Sequence, residues 1–273
     1  MKKVVLVTGA SSGIGRDTAI KLNDRGYLVY GAARRLDRLD ELVPMGINVL
    51  PLDVTDDGSM VKCVSSLVEK EGGIDVLVNC AGYGSCGAVE DVPMEEARRQ
   101  FEVNVFGLAR MTQLVLPYMR DRHSGTIVNI SSIAGKMASP MGAWYYSAKH
   151  AVEGLSDSLR MEVQDFGINV VIIEPGLTAT AWGIIAADSM MKESGGGAYS
   201  ALAKKLSDRM YSYYRTQGRI TSASVISALI VKAVEAKHPR ARYVGGTISH
   251  LTLFTRRLLC DRSFDRVIRK FTC

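Results

Sequence analysis

Two phenols and an ammonium stand close together in GAWYYSAKHAVEG, residues 142–154, where Tyr145 and Tyr146 precede Lys149 by four and three positions. On a helix, side chains three and four apart share a face, so either phenol meets the ammonium. A phenol titrates at about pH 10, which makes it a poor proton carrier near neutrality. A neighbouring cation favours the phenolate and brings the group into working range. Helix geometry leaves both tyrosines open. Upstream, NISSIAG offers Ser131 and Ser132. Period-two alternation along a strand sends their hydroxyls in different directions, and one of them is suited to donate to an oxygen on which charge develops.

A second constellation lies at the N-terminus. VVLVTGASSGIGRDTAIKL joins a strand-like run to a helix-like one through Gly9, Gly13 and Gly15, with Ser11, Ser12 and Ile14 in the same turn. Glycine lets the chain turn tightly and lets backbone approach a ligand, while the helix start presents unpaired N–H groups to a pyrophosphate. No Gly-Lys-Ser/Thr follows, which excludes a Walker-type site. The next strand-like run ends at Ala33, followed by Arg34 and Arg35. A free ribose 2′-hydroxyl is usually met here by Asp or Glu, whereas an arginine fork suits a 2′-phosphate; NADP(H) is therefore expected. Solvated helix-start charge is the competing explanation of the arginines. Asp53 closes the third strand-like run, either beside an adenine or, with Thr55 or Asp56, as a helix cap.

These groups are positioned by regular alternation. Apolar, β-branched runs at 4–7, 28–32, 47–52, 76–79, 126–130 and 169–173 alternate with helix-like segments at 14–24, 36–42, 59–69, 95–120 and 143–165. The pattern predicts an α/β fold: a Rossmann-like, doubly wound parallel sheet with helices on both faces, binding ligands at the strands' carboxyl ends. After Pro175 the alternation fails. Residues 182–218 predict short helices on flexible connections, followed by a helix at 222–236 and a strand near 242–244. A single domain with a C-terminal helical elaboration is expected.

Composition narrows the classes. The chain has 273 residues with 47% hydrophobic content, enough for one sizeable core. No apolar run approaches the roughly 20 residues needed to span a bilayer, and Val4–Val7 is too short for a signal peptide's apolar region, so a non-secreted, cytoplasmic protein is expected. Five cysteines, Cys63, Cys80, Cys86, Cys260 and Cys273, fit neither a disulfide framework nor a zinc set. Net charge is +6, but nine Lys/Arg against two Asp fall within 237–273, leaving the remainder at about −1. Basicity thus belongs to the tail and gives no reason to expect nucleic-acid binding.

Taken in order, TGASSGIG, NCAG, VNVFG, IVNISSIAG, YYSAK and EPGLTAT identify residues 2–180 as resembling the short-chain dehydrogenase/reductase family, with a weaker likeness to its 17β-hydroxysteroid and retinol dehydrogenase branch. Cys80 stands where the family usually has a second asparagine. The resemblance implies a catalytic set of Asn104, Ser132, Tyr145 and Lys149, with Tyr145 exchanging a proton with substrate and Asn104 holding a water and the lysine in a relay. It also implies cofactor contacts from Gly9, Ser11, Ser12, Gly13, Ile14, Gly15, Arg34, Arg35, Asp53, Val54, Asn79, Ala81, Gly82, Tyr145, Lys149, Pro175, Gly176 and Thr178. Ser131 is expected to face cofactor or backbone, and Tyr146 to serve packing or substrate contact.

The expected activity is NADP(H)-dependent interconversion of an alcohol and a ketone or aldehyde, by a homodimer or homotetramer. An NADPH-binding sensor on the same fold is the alternative, and an isomerase or dehydratase a third reading. Residues 182–218, rich in Met and aromatic residues, suit either a lid over an apolar substrate or plain helix packing. Residues 247–273 end in a basic amphipathic pattern at Phe264, Val267, Ile268 and Phe271, which either docks on the body or touches anionic membrane.

Overall fold

A computed structural model describes residues 2–215 and 220–272. Cys273, the 216–218 end of the expected lid and the Phe271 side chain lie outside the described residues.

Seven strands form one parallel sheet in the order β3-β2-β1-β4-β5-β6-β9: β1 Val4–Thr8, β2 Leu28–Ala33, β3 Asn48–Pro51, β4 Val76–Asn79, β5 Gly125–Ile130, β6 Ile168–Pro175 and β9 Arg242–Gly245. Helices α1 Gly13–Asp24, α2 Leu36–Leu39, α3 Asp57–Glu71, α4 Met94–Phe101, α5 Gly107–Asp121, α6 Ala143–Val163 and α9 Ala223–Glu235 connect them. Beyond β6 come β7 Thr178–Ala179, α7 Trp182–Ser194, α8 Ser200–Arg215 and β8 Thr221–Ser222, with β7 and β8 paired as a separate parallel ribbon. The chain closes with α10 Thr247–Leu258 and α11 Asp261–Thr272.

Alternation within each strand builds two cores. Val5 and Val7 of β1 face α1 and α9, in a cluster with Ala19, Leu22, Ile226 and Ile230. Val4 and Leu6 face the opposite way, toward Met60 and Leu67 of α3, Met111 and Val115 of α5, and Leu159 of α6. Because both faces are covered, the strands read as continuous apolar runs. Strand order reverses between β1 and β4, so a crevice opens at their carboxyl ends.

The segment expected as one helix over 95–120 is divided. A π-helical turn, Glu102–Phe106, separates α4 from α5. The basic tail is likewise two helices, with Leu259 and Cys260 between them.

Candidate active site

At the β1–α1 turn, Gly9 and Gly13 take positive φ of 69° and 56°, a backbone that other residues rarely tolerate. A Cβ at Gly15 would stand 2.5 Å from the Gly9 carbonyl oxygen, so only glycine lets α1 start this close to the strand. Ser12 precedes α1 in extended conformation and makes no side-chain cap bond. Anion-seeking N–H groups therefore remain at the helix start. Arg35 Nη2 donates to Ser11 Oγ at 3.0 Å and Ser12 Oγ at 3.3 Å, laying its guanidinium over the loop. Arg34 is exposed at the end of β2. An uncapped helix start beside two arginines fits a phosphorylated dinucleotide.

Asp53 accepts from the Thr55 N–H at 3.0 Å and the Thr55 hydroxyl at 2.7 Å. Burial alone would raise its pKa, but these bonds and the charges of Arg34 and Arg99 hold it below the usual carboxylate range. The cap of α3 is Asp56, which accepts from Ser59 N at 2.8 Å. Val54 packs under Gly107, at the start of α5.

The crevice floor is stitched by Thr8, whose hydroxyl accepts from both Cys80 N and Ala81 N at 3.0 Å. The Asn79 side chain does not line the groove as expected of a cofactor contact. It is buried and donates to Asn129 Oδ1 at 2.9 Å and Thr112 Oγ1 at 3.1 Å, while Asn129 continues to Ser156. This network ties β4 and β5 to α5 and α6. Gly82 lies against Asn104, whose Oδ1 accepts from Tyr83 N at 3.0 Å and whose Nδ2 donates to Tyr83 O at 2.7 Å. The π turn thus presents Asn104 to the loop that follows β4, in keeping with the frequent use of such bulges at functional sites.

On α6, Tyr145, Lys149 and Glu153 follow at intervals of four and share one face. Lys149 is buried, donates to the Ile130 carbonyl at 2.8 Å and lies 5.8 Å from the Tyr145 ring centre. Burial draws its pKa down to about 8, against the opposing pull of Cys80 and Glu153. Burial also pushes the Tyr145 phenol well up, and a hydrogen bond with Ser132 opposes that. Ser132 caps the short 3-10 turn Ile133–Gly135, accepting from Ala134 N at 3.1 Å and donating to Pro175 O at 3.2 Å. Cys80 near Lys149 is a neutral thiol, since burial pushes its pKa to about 12.

Tyr146 points elsewhere. Its ring packs over Gly142 and its phenol bonds Ser139. The Ser131 hydroxyl is buried beside Gly135 with no described partner, so the expected backbone contact is not made among the described residues.

Past β6, Gly176 N donates to Gly245 O at 3.1 Å and Thr178 Oγ1 donates to Gly176 O at 3.0 Å. Thr180 then reaches across to Gly13, so the two ends of the groove face each other. Trp182 lies 4.9 Å from Tyr145, ring centre to ring centre, and covers Gly84. Tyr214 packs on Gly183 and hydrogen-bonds the Thr178 backbone. Met190, Met191, Tyr199 and Met210 instead pack with Ala186, Ala203 and Leu206, and this core seats α7 and α8 on Cys86, Ala88 and Met141 of the body. The segment is therefore partly helix packing and partly an aromatic wall over Tyr145.

One cluster escaped the sequence reading. Glu153 and Glu174 are both buried. Lys136 reaches Glu153 at 2.8 Å, and Arg242 reaches Glu153 at 3.0 Å, Asp157 at 2.6 Å and Glu174 at 3.3 Å. Burial and the Glu153 charge raise Glu174 to about 7. Its only sequence sign was a glutamate four residues beyond Lys149 and another just before Pro175.

The sequence matches the short chain dehydrogenase family over residues 3–188. An uncharacterized oxidoreductase of Bacillus subtilis (strain 168), YusZ, is 37% identical over 280 residues, covering 98% of each chain. The NADPH-dependent 3-dehydrocapnine reductase of Ornithobacterium rhinotracheale is 34% identical over 285 residues, covering 98% of this chain and 96% of the relative. The crystal structure of a short-chain dehydrogenase from Streptomyces avermitilis aligns with a TM-score of 0.81 at 35% identity, covering 94% of this chain and 93% of that one.

Proposed function

The chain belongs to the short-chain dehydrogenase/reductase family of oxidoreductases, and from that premise we propose that it is an NADPH-dependent reductase of apolar ketones or aldehydes. The observation that carries this reading is the buried Lys149 ammonium, held by the Ile130 carbonyl 5.8 Å from the Tyr145 ring, with Ser132 acting on the same phenol. When bound, the nicotinamide cofactor supplies the hydride. Ser132 Oγ and the Tyr145 hydroxyl hold the substrate carbonyl oxygen, and Tyr145 gives it a proton. Lys149, braced by the Ile130 carbonyl, stabilises the phenolate that remains. Asn104 serves the return of the proton, from a loop position fixed by Tyr83. A phenol kept protonated by burial suits a donor, which favours reduction over oxidation.

Arg34 and Arg35 take the 2′-phosphate, a role supported by the NADPH dependence of the Ornithobacterium relative. Trp182 and Tyr214 wall the substrate side, which suits a carbonyl group carried by an apolar body. Exposed Met94, Phe106, Leu155 and Met161 on α4, the π turn and α6 suit contact with a second copy of the chain. The free thiols Cys63, Cys80 and Cys86 suit a reducing, cytoplasmic compartment. The test is NADPH oxidation against a panel of apolar ketones and aldehydes. Consumption with at least one member is expected; tight NADPH binding with no turnover on any would favour a sensor instead.

A further inference from the structure

The basic tail was expected to hide or present the apolar face of its last helix. Phe264 of α11 is in fact buried, with the Arg256 guanidinium 5.3 Å above its ring, and Val267 and Ile268 are half-buried. The open face belongs to α10. Ile248, Leu251, Phe254 and Leu258 are 68, 66, 61 and 66% exposed. Spaced by three, three and four residues, they form one stripe along three turns. Scattered apolar residues on a surface need no explanation, but a continuous stripe on one short helix does.

We propose that this stripe docks the protein on an anionic lipid bilayer surface. Charge selects the occupant. Arg257 lies at the end of the stripe, and Arg262, Arg266, Arg269 and Lys270 are exposed on the adjoining α11. The region from Lys237 onward carries nine cationic residues against two aspartates, while the remaining chain is close to neutral. Apolar side chains flanked by arginines match the headgroup boundary of a negatively charged leaflet. A second copy paired on the same stripe would bring two such basic regions together. A helix of 12 residues is too short to cross the hydrocarbon core, which needs about 20, so α10 lies along the interface.

The position of α10 gives the contact a use. The helix starts where β9 ends. Ser249 in its first turn donates to Gly245 O at 2.7 Å and sits against Gly176, where a Cβ would stand 2.0 Å from the Ser249 hydroxyl. Gly176 follows Pro175, the acceptor of Ser132. The bilayer-facing helix is therefore anchored beside the catalytic end of the groove, where an apolar substrate would arrive from lipid. The docking itself stands without the substrate reading.

The experiment is co-flotation of the full chain with vesicles of phosphatidylcholine alone and of phosphatidylcholine mixed with phosphatidylglycerol. The wild type is expected to float with the anionic vesicles at low salt and to be released as salt screens the attraction. Leu251→Glu with Phe254→Glu changes only exposed positions and should cut the floated fraction about tenfold or more, leaving NADPH turnover of a water-soluble carbonyl compound unchanged. Arg257→Glu with Arg269→Glu keeps the apolar stripe and should weaken flotation too. No flotation of the wild type on anionic vesicles at low salt would overturn the proposal. So would a Leu251→Glu, Phe254→Glu protein that floats normally but sediments as a smaller oligomer, since the stripe would then be an interface between copies.

Discussion

In the proposed reduction, Lys149 is the residue on which the chemistry turns. Its ammonium is buried, tied to the Ile130 carbonyl, and titrates near pH 8. If it must be charged to stabilise the Tyr145 phenolate, carbonyl reduction should hold steady below about 8 and decline as pH rises through it. A kcat–pH profile checks this; a rate that climbs through the same range would assign the titration to another group. At the other end of the groove, Arg35 is anchored to Ser11 and Ser12 while Arg34 projects freely near Asp53. Arg34→Asp should weaken NADPH binding about tenfold or more and leave NADH binding nearly unchanged, as fluorescence titration would show. The turn glycines were legible in the sequence because local turn geometry demands them, and the shared helix face of the tyrosines and Lys149 because helix spacing does, while the choice of Tyr145 over Tyr146 comes from the family resemblance. Asn79, Glu153 and Glu174 were not legible, because their partners lie on other strands and helices. Asn79 meets Asn129 and Thr112 only after β4, β5 and α5 assemble.

Among the elements, the period-two and 3.6-residue patterns located most strands and helices but not the discontinuities. The π turn at Glu102–Phe106 holds no glycine or proline within it, only Gly107 directly after it, and it is this insertion that presents Asn104 to Tyr83. The tail shows the same limit: the strongest amphipathic pattern belonged to α11, yet contact with Arg256 hides Phe264 and leaves the weaker-looking α10 open. Helices α7 and α8 combine two functions in one element pair. Met190, Met210 and Leu206 hold the helices together, while Trp182 also closes on Tyr145. Trp182→Ala should therefore keep the fold, raise KM for apolar carbonyl compounds about tenfold and lower kcat less, because it removes apolar contact rather than a proton carrier. Steady-state kinetics on a long-chain and a short-chain ketone would separate the two parameters.

For the molecule as a whole, the sheet order and the two cores follow from hydrophobic runs that alternate faces on every strand. What joins the sheet's far edge to the catalytic helix is a polar cluster. Arg242 of β9 bridges Glu153 and Asp157 of α6 to Glu174 of β6. Glu174 binds its proton more tightly in the folded chain, near pH 7, than an ordinary carboxyl group at 4.5. The folded state then holds a proton that the unfolded chain has lost, so this contribution to stability is complete below 4.5 and is lost as pH rises through about 7. Thermal unfolding across that range should show the decline, and Glu174→Gln, which cannot ionise, should flatten it. A variant with the wild-type slope would place the proton elsewhere in the cluster.

The central claim is that the Tyr145 hydroxyl delivers the proton to a substrate oxygen. Its most direct test is single-turnover NADPH oxidation by Tyr145→Phe, with NADPH affinity measured on the same sample and Tyr146→Phe as the control. The account predicts a loss of about a hundredfold to ten-thousandfold in the chemical step with unchanged NADPH affinity, and near-normal turnover in the control. Retained turnover in Tyr145→Phe, or its loss in Tyr146→Phe alone, would contradict it.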